Sequence, residues 1–141
     1  ARYAQLARLF QQRKKASILI TGSESDQQVA EAICASLSPK PVNLTGKTDL
    51  RLLAALISQA DLFISNDSGP MHIANSLQVP VVAIFGPTIP QQTGPFQPPS
   101  VIIKKEVPCW PCLYRECPFD HRCLTTVAAE EVYQAGVNFL T

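Results

Sequence analysis

One stretch constrains this chain more than any other: a short apolar strand that passes through a polar turn straight into a helix. Asp61-Leu62-Phe63-Ile64-Ser65 has the length and character of a buried strand. Asn66, Asp67 and Ser68 then offer capping side chains, and Pro70 suits a first helical turn, where no backbone N–H is needed. Gly69 lets another group come close to the backbone. The helix is expected from Pro70 to about Leu77. Such a turn points free N–H groups and a helix dipole at one spot, which suits a phosphate. Asp67 would stand beside that spot and accept hydrogen bonds from hydroxyls, so the ligand type is a phosphate carrying a polyol. The plainer reading is that Asp67 or Ser68 simply caps the helix. A third reading, Ser68 as nucleophile with His72 as base, lacks a G-x-S-x-G elbow.

The rest of the chain alternates in the same way. Tyr3, Leu6, Leu9 and Phe10 recur at helical spacing, predicting an opening helix that ends near Lys14. Ser17–Thr21 is a strand, and Gly22–Asp26 turns it into a helix whose buried face is expected to hold Val29, Ala30, Ile33, Cys34 and Leu37. Val42-Asn43-Leu44 is a short strand, followed by the loop Thr45-Gly46-Lys47-Thr48. Asp49 can cap a helix with Leu50, Leu53, Ala54, Leu56 and Ile57 as its apolar positions. Val79–Phe85 is apolar and β-branched, a second buried strand. A proline-rich loop from Thr88 to Ser100, a strand at Val101–Ile103 and a helix from about Val127 to Phe139 complete the pattern.

Short strands alternating with helices predict an α/β fold, a Rossmann-like parallel sheet with helices on both faces. Ligands of such sheets bind beyond the carboxyl ends of the strands. The turns Gly22–Asp26, Thr45–Thr48, Asn66–Gly69 and Gly86–Thr88 all fall on that edge. Their agreement favours the ligand reading of Asp67 over the capping one.

At 141 residues the chain can build one domain with a real core. Twelve basic and 11 acidic residues give a net charge of +1, and no basic run exceeds Arg13-Lys14-Lys15, so nothing favours nucleic acid. No apolar run approaches the ~18 residues that span a membrane, and no signal peptide opens the chain. The start lacks Met and falls inside a helical pattern, so a piece of a longer protein is expected.

Cys109, Cys112, Cys117 and Cys123 lie close together in sequence, and nine of the 12 prolines fall from Pro80 onward. The Cys109–Cys112 pair has metal-ligand spacing, but the other two do not form a second C-x-x-C. A tetrahedral structural zinc, with His121 as a spare ligand, competes with free thiols and with one or two disulfides. A reducing setting disfavours persistent disulfides, and a redox C-x-x-C would follow a strand and open a helix. Far in sequence from the polar turns, the segment reads as a staple for a proline-rich loop and not as a catalytic element. Cys34, alone on a helix, reads as a plain core residue.

Asn66-Asp67-Ser68-Gly69-Pro70-Met71-His72-Ile73-Ala74 resembles the signature of glycosyltransferase family 9, the lipopolysaccharide heptosyltransferases. Asn43-Leu44-Thr45-Gly46-Lys47-Thr48-Asp49-Leu50 resembles the family's L-x-G-K-T-x-L segment, and Pro80–Thr88 its P-x-V-A-L-F-G-P-T segment. The cysteine cluster resembles a tail seen in some members. The resemblance covers nearly the whole chain. It implies the C-terminal half of a two-domain GT-B enzyme: residues 1–141 as one donor-binding domain with a cysteine- and proline-rich segment at 86–124, the N-terminal acceptor domain lying elsewhere.

By that resemblance the ligand is ADP-heptose or a similar nucleotide sugar. Asp67 would contact sugar hydroxyls, Ser68 and Gly69 the diphosphate, Thr48 the adenine. Glu24 and Asp26 compete for the ribose, with helix N-terminal charge as the plainer role of either. His72 is either a helper at the diphosphate or a satisfied structural histidine. The reaction implied is an inverting transfer of heptose to a lipopolysaccharide core acceptor, in the cytoplasm at the inner face of the bacterial membrane. It needs no catalytic cofactor. The base and most of the acceptor site belong to the N-terminal half, and the family's phosphate-binding lysine precedes Ala1. No catalytic residue is therefore expected in this chain, and the chain alone is expected to be inactive. Two other readings stand beside this one: a non-catalytic nucleotide-sugar binding module, and a zinc-stapled interaction module on the same fold.

Overall fold

The computed structural model describes residues 2–112, 114 and 116–140. Where the sequence reads as one domain, the chain gathers into two compact units, Ala1–Leu53 and Ala54–Thr141. The first opens with α1 (Arg2–Lys14), which buries Leu6, Ala7 and Phe10 along one stripe, as the helical spacing predicts. Two short parallel strands follow, β1 (Leu19–Ile20) and β2 (Val42–Asn43), with Leu19 opposite Val42. Between them a 3-10 turn (Glu24–Asp26) leads into α2 (Gln27–Ala35). The expected core face of α2 is only partly realised. Ala30 and, just beyond the helix, Leu37 are buried, but Val29 is 62% exposed and Cys34 is half-buried. Periodicity shows where apolar side chains gather on a helix but not what covers each of them.

α3 (Leu50–Ser58) starts as expected, with the Asp49 carboxylate accepting the Leu52 N–H at 2.8 Å. Ile57 is buried, whereas Leu50, its first residue, is 70% exposed.

The second unit is built on three parallel strands in the order β3 (Phe63–Asn66), β4 (Val81–Phe85), β5 (Ser100–Lys104). Phe63 stands opposite Val81, and Val81 opposite Ser100. Every residue of β4 is buried, and Val81, Val82, Ala83 and Phe85 show no exposure at all. A strand with neighbours on both edges and cover on both faces must be apolar throughout, which is why Val79–Phe85 reads as an unbroken apolar run. The cover comes from α4 (Gly69–Ser76), α6 (Arg122–Thr125) and α7 (Ala129–Val137). Each fully buried Val or Phe contributes about 1.5–3 kcal/mol of transfer free energy. α5 (Pro90–Thr93) and α6 were not expected, since a four-residue helix carries no readable period.

Candidate functional site

At the carboxyl end of β3 the Asp67 N–H donates to the Ile84 carbonyl at 3.2 Å, carrying the ladder one residue past the strand. The chain then turns at Ser68, which has extended backbone (φ −160°, ψ 163°) and is the N-cap of α4. The expected side-chain cap is missing. No side chain caps α4, because the Ser68 hydroxyl lies 2.8 Å from the Ser65 hydroxyl instead. Ser65 gives its own proton to the Asn66 carbonyl at 2.8 Å, so Ser68 is the donor of the pair. This arrangement also removes Ser68 as a nucleophile activated by His72.

An uncapped helix start leaves its first N–H groups without intrahelical partners. Gly69 is exposed, and a Cβ built on it would meet no atom within 4 Å. The approach to the backbone there is open. Pro70 sits in the first turn, as expected. Met71, Ala74 and Asn75 fix the helix through a face with no exposure. His72 stands one turn on from Gly69 and is half-buried. Asp67 is half-buried, and its Oδ2 accepts the Thr93 hydroxyl at 2.9 Å. The structure therefore gathers Asp67, Ser68, Gly69 and His72 at one helix end.

Glu24 and Thr48 belong to the first unit, on loops that follow the carboxyl ends of β1 and β2. The Gly46 N–H donates to the Gly22 carbonyl at 2.9 Å and joins these loops. Gly46 has φ +71°, and a Cβ there would lie 3.2 Å from the Glu24 Cα, so glycine is needed both for the conformation and for the approach. The competition between Glu24 and Asp26 now has a physical basis. Asp26 Oδ2 accepts the Ser23 N–H at 2.8 Å and the Ser23 hydroxyl at 2.6 Å. These bonds hold its carboxyl below the usual range. Asp26 is occupied in shaping the turn, whereas Glu24 stands exposed at its start. A separate cleft bordered by Gln11, Lys15, Pro39 and Lys40 lies at the amino ends of β1 and β2, the opposite edge.

The loop after β4 packs tightly. A Cβ on Gly86 would come 2.9 Å from Leu124 Cγ. Trp110 Nε1 donates to the Thr88 carbonyl at 3.2 Å, and Lys104 Nζ lies 4.2 Å from the Trp110 ring centroid. The five cysteines are free thiols. Burial first, then the charges of Cys112, Cys109 and Cys117, push the Cys123 thiol up. Among the described residues, no three His, Cys, Asp or Glu side chains stand together so as to hold a metal ion.

Two residues of this region escaped the sequence reading. Thr93 gave no signal. Asn75 gave one: it falls four residues after Met71 on the buried stripe of α4, where an apolar residue would be the norm.

The class the fold and site define is a parallel α/β domain with an open helix start and a carboxylate beside it, an arrangement that suits a phosphate ligand. Comparison with known proteins narrows the class. The model of glycosyltransferase family 9 (heptosyltransferase) matches residues 1–122, and the chain belongs to that family. It is 35% identical to lipooligosaccharide heptosyltransferase 2 of Campylobacter jejuni subsp. jejuni serotype O:2, over 98% of this chain and 44% of that protein. It is 41% identical to lipooligosaccharide heptosyltransferase 2 of Haemophilus ducreyi, over 72% of this chain and 31% of that protein. Among solved structures, E. coli ADP-heptose lps heptosyltransferase II superposes with a TM-score of 0.80 at 27% identity, covering 97% of this chain and 39% of that one. The glycosyl transferase family 9 structure from Veillonella parvula gives a TM-score of 0.83 at 29% identity, covering 99% and 40%. The chain thus spans less than half the length of these relatives.

Proposed function

We propose that this chain is the donor-binding half of a glycosyltransferase that moves heptose from ADP-heptose to a lipopolysaccharide core acceptor with inversion. The observation that carries this reading is the start of α4: no side-chain cap, open space above Gly69, and the Asp67 carboxylate alongside. The backbone N–H groups of Ser68 and Gly69 would hold the diphosphate, and the positive helix end adds to their pull. Asp67 would accept from a sugar hydroxyl. By the family resemblance, Thr48 would contact the adenine and Glu24 the ribose.

In the reaction an acceptor hydroxyl attacks the anomeric carbon on the face opposite the diphosphate. Its proton goes to a base outside this chain. The bond to the diphosphate breaks, and ADP leaves with the bonding electrons. Charge grows on the diphosphate as it departs, so fixed N–H donors at α4 stabilise the transition state more than the ground state. His72, one turn along α4, could donate to a phosphate oxygen. No helix among the described residues is long and apolar enough to cross a membrane. By the family resemblance, the acceptor would meet the enzyme at the inner membrane face.

The test is a calorimetric titration of the full-length protein with ADP and with ADP-heptose. Saturable binding of both, with Asp67→Ala weakening the nucleotide sugar more than ADP, is the expected result. Equal losses would remove Asp67 from the sugar, and failure to bind either ligand would remove the donor-domain reading. Donor binding without heptose transfer would favour a non-catalytic binding module.

A further inference from the structure

Asp67 does not stand alone. Its Oδ2 accepts the hydroxyl of Thr93 at 2.9 Å, across 26 residues of sequence. Thr93 is the last residue of α5, and the segment that carries it is held in several independent ways. The Gly94 N–H donates to the Pro90 carbonyl at 2.7 Å, and a Cβ on Gly94 would run into that same carbonyl. Beyond Gly94 the segment is latched to α4 itself. Asn75, with no exposure, donates from Nδ2 to the Gln97 carbonyl at 2.6 Å. Its Oδ1 accepts the Phe96 N–H at 3.0 Å and the Gln97 N–H at 3.3 Å. Gln97 Nε2 returns a bond to the Asn75 carbonyl at 2.9 Å. So the helix that starts just after Asp67 also fixes, near its far end, the loop that reaches back to Asp67.

The chemistry of this closed circuit is specific. A half-exposed carboxylate with no fixed partner samples several rotamers and wastes orientation entropy on each binding event. Thr93 has one proton. Its hydroxyl lies 2.9 Å from Asp67 Oδ2 and 3.5 Å from the Ile89 carbonyl, so the shorter, charge-assisted bond takes that proton. Holding one oxygen restrains the carboxylate and leaves the other oxygen for a ligand. We infer that Thr93 is a positioning residue for the donor sugar: it holds one oxygen of Asp67 so that the other accepts a sugar hydroxyl, on a loop that the Asn75–Gln97 pair keeps in place. This inference rests on the donor-binding reading of Asp67.

An interaction with a hydroxyl away from the reacting carbon is made equally in ground and transition states, so its loss raises KM and leaves kcat alone. The experiment is steady-state kinetics of the full-length protein with ADP-heptose varied and ADP as competitive inhibitor. For Thr93→Val, which keeps the shape and removes the hydroxyl, KM for the nucleotide sugar should rise ~5-fold, consistent with the loss of about one net hydrogen bond. The inhibition constant of ADP, which lacks the sugar, should not move, and Thr93→Ser should restore the wild-type KM. A Thr93→Val enzyme with wild-type KM overturns the inference, as do an equal loss for ADP and failure of serine to rescue. If ADP fails to inhibit the wild-type protein, the donor-domain reading falls, and the role of Thr93 with it.

Discussion

Asn75 and Gln97 hold each other by side chain and backbone at once: Asn75 Nδ2 donates to the Gln97 carbonyl, and Gln97 Nε2 donates to the Asn75 carbonyl. Asn75 has no solvent exposure, so its own amide cannot turn to water instead. Removing the side chain takes the acceptor from the Phe96 and Gln97 N–H groups, while the Gln97 carbonyl keeps the Ser100 hydroxyl at 3.0 Å. Asn75→Ala should therefore cost about 2–4 kcal/mol, far above an ordinary exposed helix substitution. Urea unfolding followed by tryptophan fluorescence measures it, since Trp110 is the single tryptophan. A loss below about 0.5 kcal/mol would mean that the latch is wet and dispensable.

Gly86 is fixed by its neighbour and not by its own torsion. The Cβ it lacks would stand 2.9–3.2 Å from three atoms of the Leu124 side chain. Gly86→Ala should cost about 1–2 kcal/mol through overpacking. Trimming the neighbour should give part of that back, so the double variant Gly86→Ala/Leu124→Ala should be less unstable than the two single losses added together. A double-variant cycle with no coupling would show that the strain is relieved elsewhere.

Much of this molecule was legible in the order of its residues, for physical reasons that differ from place to place. β4 was readable because a strand enclosed on every side has no room for a polar residue. Asp49 was readable as a cap because helix starts have few chemical solutions, and the carboxylate takes the Leu52 N–H as expected. The same rule failed at Ser68. There the Ser65 hydroxyl, three residues back, turns the Ser68 side chain away from the helix N–H groups, and a local pattern does not rank the two orientations. Val29 and Leu50 fit their helical stripes yet lie exposed, because periodicity reports a face and not its cover. The bond between Thr93 and Asp67 joins residues that no spacing rule connects. The family signature located Asp67; only the folded chain supplies its partner.

The thiol cluster decides the zinc expectation by reactivity. Cys123 is buried, with its thiol pushed up by that burial and by neighbouring charge, while Cys109, Cys112 and Cys117 are half-buried. The thiolate is the reacting form, so Cys123 should be alkylated slowest of the four at pH 8. Mass spectrometry after timed iodoacetamide treatment reads the order. With the thiols arranged as described, a chelator should not change it. Protection of all four that disappears on adding a chelator would instead establish a structural zinc that draws the thiols together.

Asp26 makes one contribution to stability dependent on pH. Its folded pKa lies below the unfolded value because the Ser23 hydroxyl and N–H bond the ionised form. A depressed carboxylate contributes stability that is complete above the unfolded pKa, about 3.9, and is lost as pH falls through the folded one. Asp26→Ala should thus be less stable than wild type at pH 7, by less than about 1 kcal/mol because the site is exposed to solvent. The gap should close below about pH 4. A gap independent of pH would assign the effect to turn propensity and not to the charge.

Gly69 separates the fold's needs from the ligand's. Its backbone requires no left-handed torsion, and a methyl group there would touch nothing within 4 Å. Gly69→Ala should leave stability unchanged or raise it by about 0.5 kcal/mol, since alanine loses less chain entropy in the first helical turn. If a diphosphate rests on the start of α4, that same methyl group fills the space the phosphate oxygens need. Affinity for ADP and for ADP-heptose should then fall together by ~10-fold or more, as expected when close approach to backbone N–H donors is blocked. The pairing with Asp67→Ala is informative, because that variant should discriminate between the two ligands and Gly69→Ala should not. A stable Gly69→Ala protein that binds ADP as well as wild type would move the phosphate away from α4. The carboxylate of Asp67 would then be left without the anion that gives its position meaning.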